Sequence, residues 1–116
     1  MQKRVEDYLP LTHTTFYILL ALVTPLHGYG IMQKVEEMSD GEVRLGPGTL
    51  YGALSKLEKQ QLIEKVNGGE RRKNYVLTVL GKKVVKREYN RLKRLVVNSN
   101  AIIRNLGDGE FEQKGF

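Results

Sequence analysis

Apolar residues fill the chain from Leu11 to Val23 almost without a polar face (Leu11, Phe16, Tyr17, Ile18, Leu19, Leu20, Leu22, Val23), which predicts a helix packed on several sides, with Thr12 or Thr14 as its cap. Pro25 and Gly28 end it. From about Tyr29 to Ser39 the spacing becomes helical and one-sided: Ile31, Met32, Val35 and Met38 make the apolar stripe while Gln33, Lys34, Glu36 and Glu37 face away, and Asp40-Gly41 make the turn after it. A third stripe is Leu50, Leu54 and Leu57, with Leu62 and Ile63 just beyond. Two short strand-like runs follow, 63–66 and 74–78, joined by NGGERRK, where Asn67-Gly68 or Gly68-Gly69 can supply the positive backbone angles of a hairpin turn. A long, mostly polar helix is predicted from about Val79 to Leu106, stopped by Gly107, and the tail 107–116 is expected to be mobile.

With 116 residues the chain holds one compact core and at most one projecting element. Its 19 Lys and Arg against 13 Asp and Glu give a net charge of +6, a field that favours polyanions, whether DNA, RNA or an acidic membrane. The absence of cysteine removes disulfides, zinc ribbons and thiol chemistry and agrees with a reducing cytoplasm, the expected location. The most apolar run, from Phe16 to Val23, falls far short of the roughly 20 residues that span a bilayer, so no membrane partner is expected.

The segment GPGTLYGAL (46–54) has the glycine density of a phosphate-binding loop but not its spacing: counted from Gly46, the second glycine of a P-loop would have to be Tyr51. A dinucleotide fingerprint fails as well, because no apolar strand leads into the glycines. Read with the leucine stripe behind it, GPGT is a helix start, Pro47 suiting an early helical position where its missing N–H would be unpaired anyway.

Three helices followed by a basic-tipped β-ribbon is the order of a winged helix-turn-helix, an α+β fold, mainly α with a small ribbon, whose third helix enters the major groove while the ribbon touches the flanking backbone. With Leu50, Leu54 and Leu57 turned inward, Gly48, Gly52, Ser55, Lys56 and Lys59 point outward and Thr49 and Tyr51 lie on the flanks, a small and cationic face. Gly52 inside a helix costs about 1 kcal/mol relative to Ala. Close packing, a bend, or close approach to DNA would each explain it.

At this point the chain resembles the PadR family of bacterial transcriptional regulators. The matching stretches are PLTHTTFYILLAL, HGYGIMQKVEE, LGPGTLYGALSKLEKQQLIEK, and GERRKNYVLT followed by Gly81, together covering most of residues 10 to 81. The chain departs from the family at Gly52, where members often carry proline. The resemblance implies a homodimeric winged-helix protein that binds double-stranded DNA, usually a repressor, with a C-terminal dimerisation helix and in some members a small-molecule effector. It makes Tyr29 a candidate for phosphate, with a packing role as the alternative, and His27 a turn or packing residue. Thr49 and Tyr51 become candidates for phosphate contacts; Lys56 and Lys59 are placed to reach phosphate or guanine, or else are solvated. Arg71, Arg72 and Lys73 would touch the DNA backbone from the ribbon.

The long helix carries a second pattern. Val85, Tyr89, Leu92, Val96, Ser99, Ile103 and Leu106 alternate four and three apart, the spacing of a coiled-coil seam, while Leu80, Val84, Leu95 and Ile102 form another stripe for the winged module or for a partner. The expected division is therefore a DNA-binding domain over 1–78 and a dimerisation helix over 79–106. No cofactor or metal is expected. Enzymatic constellations are missing too, His13 and His27 being the only histidines and not at ligand spacing. A winged-helix module that binds another protein without specific DNA binding is the alternative reading.

Overall fold

The first helix, α1 (His13–Ala21), is shorter at both ends than its apolar run. Thr12 caps it, its hydroxyl accepting the Thr15 N–H at 3.1 Å, which leaves Leu11 outside. At the other end the Leu22 carbonyl accepts the Leu77 N–H at 2.9 Å, and Leu26 exchanges N–H and C=O with Tyr75 at 3.1 and 2.8 Å. The segment after α1 is thus drawn off the helix to pair with the ribbon, a use of residues 22–26 that the Pro25 and Gly28 stop signals did not announce.

The computed structural model describes residues 3–67 and 73–107. A 3-10 turn (Val5–Tyr8) precedes α1; α2 (Gly28–Met38) and α3 (Pro47–Lys59) follow, then strands β1 (Ile63–Asn67) and β2 (Lys73–Leu77), then α4 (Val79–Asn105). The strands pair antiparallel from Ile63↔Leu77 to Asn67↔Lys73. The expected hairpin turn type, Arg71, Arg72 and the expected mobile tail beyond Gly107 lie outside the described residues. Among the described residues no helix is long and apolar enough to cross a membrane.

The core collects one face of every element: Ile18, Leu19 and Leu22 beside α1, Ile31 and Val35 from α2, Leu50, Leu54 and Leu57 from α3, then Leu62, Ile63, Tyr75, Leu77 and Val84. Each buried Leu, Ile or Val contributes about 1.5–3 kcal/mol of transfer free energy, so the three leucines of α3 hold that helix by one side only. The stripe Leu80, Val84, Leu95, Ile102 divides: Val84 is fully buried and Leu80 partly, whereas Leu95 and Ile102 are exposed.

One junction fixes the long helix. Thr78 gives its N–H to the Leu62 carbonyl (3.1 Å) and its hydroxyl to the Gln61 carbonyl (2.7 Å), while the same hydroxyl oxygen accepts the Gly81 N–H (3.0 Å) and caps α4. Gly81 lies so close to the Leu62 carbonyl that any Cβ there would collide with it.

A second anchor is Glu88, 1% exposed in the middle of a run of lysines and arginines. Its carboxylate accepts the Leu11 N–H at 2.9 Å and both arms of the Arg91 guanidinium at 2.5 and 3.0 Å. The hydrogen-bonded Arg91 holds the Glu88 carboxyl below the usual carboxylate range, against burial, which pushes it up, and with help from the Leu11 N–H. Glu6 pairs with Arg87 beside it, and the Tyr8 hydroxyl reaches the Gln60 carbonyl at 3.4 Å, so the segment before α1 is tied to both α4 and the end of α3.

Two stability outcomes are expected. Gly81→Ala should be destabilising by about 2 kcal/mol, an overpacking cost of up to about 3 less the roughly 1 that Ala gains in a helix; an unchanged thermal midpoint would contradict the close approach. Glu88, with its native pKa lowered, contributes stability that is complete above the ordinary glutamate value of about 4.3 and is lost as pH falls through the native value. Glu88→Gln should cost about 2 kcal/mol near neutrality, and urea midpoints of the two proteins should converge as pH falls below the ordinary glutamate value. Midpoints that stay parallel across that range would show that Glu88 does not carry this share.

Candidate nucleic-acid interface

The four α-helices begin in two ways. Thr12 and Thr78 cap α1 and α4 with their side chains, but His27 before α2 and Gly46 before α3 provide no side-chain cap. First-turn N–H groups have no intrahelical partner, so α2 and α3 present donors, together with the positive ends of their dipoles, to whatever lies in front of them.

These two N-termini meet. The Tyr51 phenol from the second turn of α3 lies directly over Gly28, the first residue of α2, where a Cβ would overlap its hydroxyl. Next to it Tyr29 is 61% exposed, and its hydroxyl oxygen accepts a hydrogen bond from Gln33 Nε2 at 3.2 Å, leaving the phenolic proton free to donate outward. The packing alternative for Tyr29 thus finds no support in its position. His27 is a packing residue, its ring lying against Gly30. Beyond Gln33 the flank of α2 turns acidic, Glu36, Glu37 and Asp40 lining a groove that begins at Tyr29. Phosphate would be repelled there, which confines any phosphate contact of α2 to its first turn.

Along α3 the outward residues stand where the leucine stripe put them. Gly48, Thr49, Gly52, Ser55, Lys56 and Lys59 are exposed, and Tyr51 is about half exposed. A Cβ built at Gly52 or at Gly48 would meet nothing within 4 Å. Among the described residues Gly52 therefore answers to no packing requirement, and α3 runs unbroken through it. Lys73 is exposed at the start of β2, opposite Asn67. Lys65 of β1, on the other hand, is drawn toward Glu58 at 3.7 Å.

Residues 3–87 match the profile of the transcriptional regulator PadR-like family. The chain belongs to that family. PadR regulators are DNA-binding proteins rather than enzymes. A PadR-like transcription factor from Bacteroides fragilis is 30% identical and superimposes with a TM-score of 0.63 over 77% of this chain and 88% of its own. A PadR family regulator from Clostridium difficile, 24% identical, shares the fold with a TM-score of 0.67 over 79% of this chain and 99% of its own. A 37.1 kDa protein in a transposon of Streptomyces fradiae is 42% identical over 79 residues, 67% of this chain. The chain spans less than two thirds of the length of the curated relatives that it matches, 22% in the Streptomyces case.

Within this PadR fold, sequence reasoning placed the outward face of α3, left the exposure of Tyr29 open, and missed Gly28, Gln33 and the contact between Tyr51 and α2. Gly28 had been read only as a helix stop; its second role needs the fold, because Tyr51 is 23 positions away in the chain. Gly28→Ala should push the Tyr51 phenol aside. Since that phenol is the free end of a flexible side chain, the thermal midpoint should move far less than for Gly81→Ala, while affinity for duplex DNA falls several-fold. Unchanged affinity would remove Tyr51 from the interface, and a large loss of stability would show that its phenol is not free to move.

Proposed function

We propose that this PadR protein is a homodimeric repressor that reads an inverted-repeat operator through α3 and is released from it by a small-molecule effector. The observation that carries the reading is the outward face of α3: an unbroken helix, held inward by three leucines, whose other side is open over Gly48 and Gly52 and cationic at Lys56 and Lys59. A helix without side chains at its centre line sits deeper between the phosphate ridges of the major groove. Thr49, Tyr51, Tyr29 and the free N–H groups of α2 and α3 then take the flanking phosphates. Ser55 is left to face a base edge, and Lys73 reaches the backbone together with Arg71 and Arg72 of the ribbon.

Dimerisation is supported by what α4 leaves uncovered. All residues from Lys93 to Gly107 are exposed, among them Leu95, Val96, Val97, Ile102, Ile103 and Leu106, and Tyr89 just before them is 57% exposed. Seven large apolar side chains along one projecting helix need a partner surface. Val85 and Leu92, partly buried, begin the seam that continues through Tyr89, Val96, Ser99, Ile103 and Leu106. Residues 1–78 thus serve as the DNA-binding domain and 79–106 as the dimerisation helix. The effector part of the reading rests on Tyr8, Phe16, Tyr17 and Tyr89, aromatic side chains available to line a cavity at a dimer interface.

Selection of bound sequences from random duplex DNA tests the whole reading and should return an inverted repeat. Affinity for the selected duplex should fall steeply with salt; about six phosphate contacts per dimer correspond to a loss of about a thousandfold between about 50 and 200 mM. Gly52→Leu should keep or slightly raise the thermal midpoint, because Leu is the better helix former by roughly 1 kcal/mol, yet bind the selected duplex at least about tenfold more weakly. A folded Gly52→Leu protein with full affinity would take α3 out of the groove, and sedimentation as a monomer at micromolar concentration would sink the dimer.

A further inference from the structure

Helix α4 is rooted at one end and free at the other. Gly81, Val84 and Glu88 are its buried positions, and from Lys93 to Gly107 none of the described residues covers it. Glu88 is therefore the last buried point before the helix leaves the winged module. An apolar side chain at such a point would hold by area alone, which is indifferent to direction. The Glu88 carboxylate instead joins α4 to the module by one directed bond, accepted from the Leu11 N–H just before α1, while two bonds from Arg91 within α4 hold the carboxylate in place for it. The segment that carries Leu11 also carries Tyr8, whose hydroxyl contacts the Gln60 carbonyl where α3 ends. A continuous set of bonds runs from the end of the recognition helix through Gln60, Tyr8 and Leu11 to Glu88.

We propose that Glu88 is a specificity-determining positioning residue: it fixes the angle between the winged module and α4, and so sets the spacing between half-sites that the dimer accepts. This rests on the dimer reading above. From Glu88 to Leu106 the helix extends about 27 Å at 1.5 Å per residue. A tilt of about 5° at Glu88 shifts the module relative to the seam by about 2 Å, and the two protomers together by about 4 Å. One base-pair step is about 3.4 Å. A few degrees of freedom at this point therefore decide whether the second recognition helix meets its half-site in register or one step away. Buried charges can be retained for such geometric definition although well-packed apolar residues would serve stability equally well.

The test uses the full chain and the duplex obtained by selection, with one or two base pairs inserted or removed between the half-sites, and a duplex carrying a single half-site. The wild type should prefer its own spacing to a one-base-pair insertion by about tenfold or more, the cost of placing the second helix against wrong bases. Glu88→Gln keeps an acceptor for the Leu11 N–H and loses the charge for Arg91; Glu88→Leu keeps the volume and loses every directed bond. In both, the preference should shrink to about threefold or less, or move to another spacing, with Leu the stronger effect, and single half-site affinity should stay within about twofold of wild type. Urea denaturation of each variant shows that the protein is folded at the binding temperature. A role confined to stability would lower the urea midpoint and leave the spacing profile alone, and an unchanged profile in both folded variants overturns the proposal. A wild type that binds single half-sites as well as pairs overturns the dimer reading, and this proposal with it.

Discussion

The elements that project from this fold are rooted together at one junction, where the chain leaving α3 passes under the start of α4. The Leu62 carbonyl accepts from Thr78, the Gln61 carbonyl accepts the Thr78 hydroxyl, and the same hydroxyl oxygen caps α4 through Gly81. Three elements, α3, the ribbon and the long helix, share these few atoms. Backbone groups buried together must be paired or they cost as much as a lost hydrogen bond, so the three elements cannot slide past one another without breaking several bonds at once. The missing side chain at Gly81 is what lets them come this close.

The same economy governs α3. Its leucines meet the core on one side, and nothing on the other side is needed for folding. A surface helix would ordinarily carry long polar residues there, which favour the helix and solubilise it. Gly48 and Gly52 do the reverse, lowering helix propensity where no contact among the described residues compensates. A locally unfavourable choice with no structural return points to a requirement outside the chain, and close approach to a nucleic acid supplies one.

Much of this was legible in the sequence because the information was periodic or punctuated. The stripe Leu50, Leu54, Leu57 fixed which side of α3 faces inward, Pro47 marked its start, and strand-like alternation around Gly68-Gly69 placed the ribbon to within one residue at each described end. What stayed hidden was carried by single contacts between distant positions. Glu88 sits among Lys86, Arg87 and Arg91 and reads as one more surface charge, since nothing in the local pattern says that the Leu11 N–H will need it. Residues 22–26 read as a helix end and a loop, because their pairing with β2 is nonlocal. Gly28 looked like punctuation for the same reason, its constraint being the phenol of Tyr51.

The two kinds of helix start carry the division of labour further. A threonine cap is worth about 1 kcal/mol, and it is present on α1 and α4, whose first turns are tied into the fold. Helices α2 and α3 forgo it. The Tyr51 phenol from the second turn of α3 lies over Gly28 at the start of α2, and the Tyr29 hydroxyl, already accepting from Gln33, keeps its proton available beside them. An anion placed before this pair would meet backbone donors, two phenols and two dipole ends, with the acidic flank of α2 preventing it from sliding further along that helix. Such a site needs no positive side chain of its own. Affinity contributed there would depend on hydrogen-bond geometry more than on ionic strength, and the salt-dependent share would fall to the lysines of α3 and the ribbon. On the proposed reading, register on the phosphate backbone and overall attraction to it would rest on different atoms of the same surface.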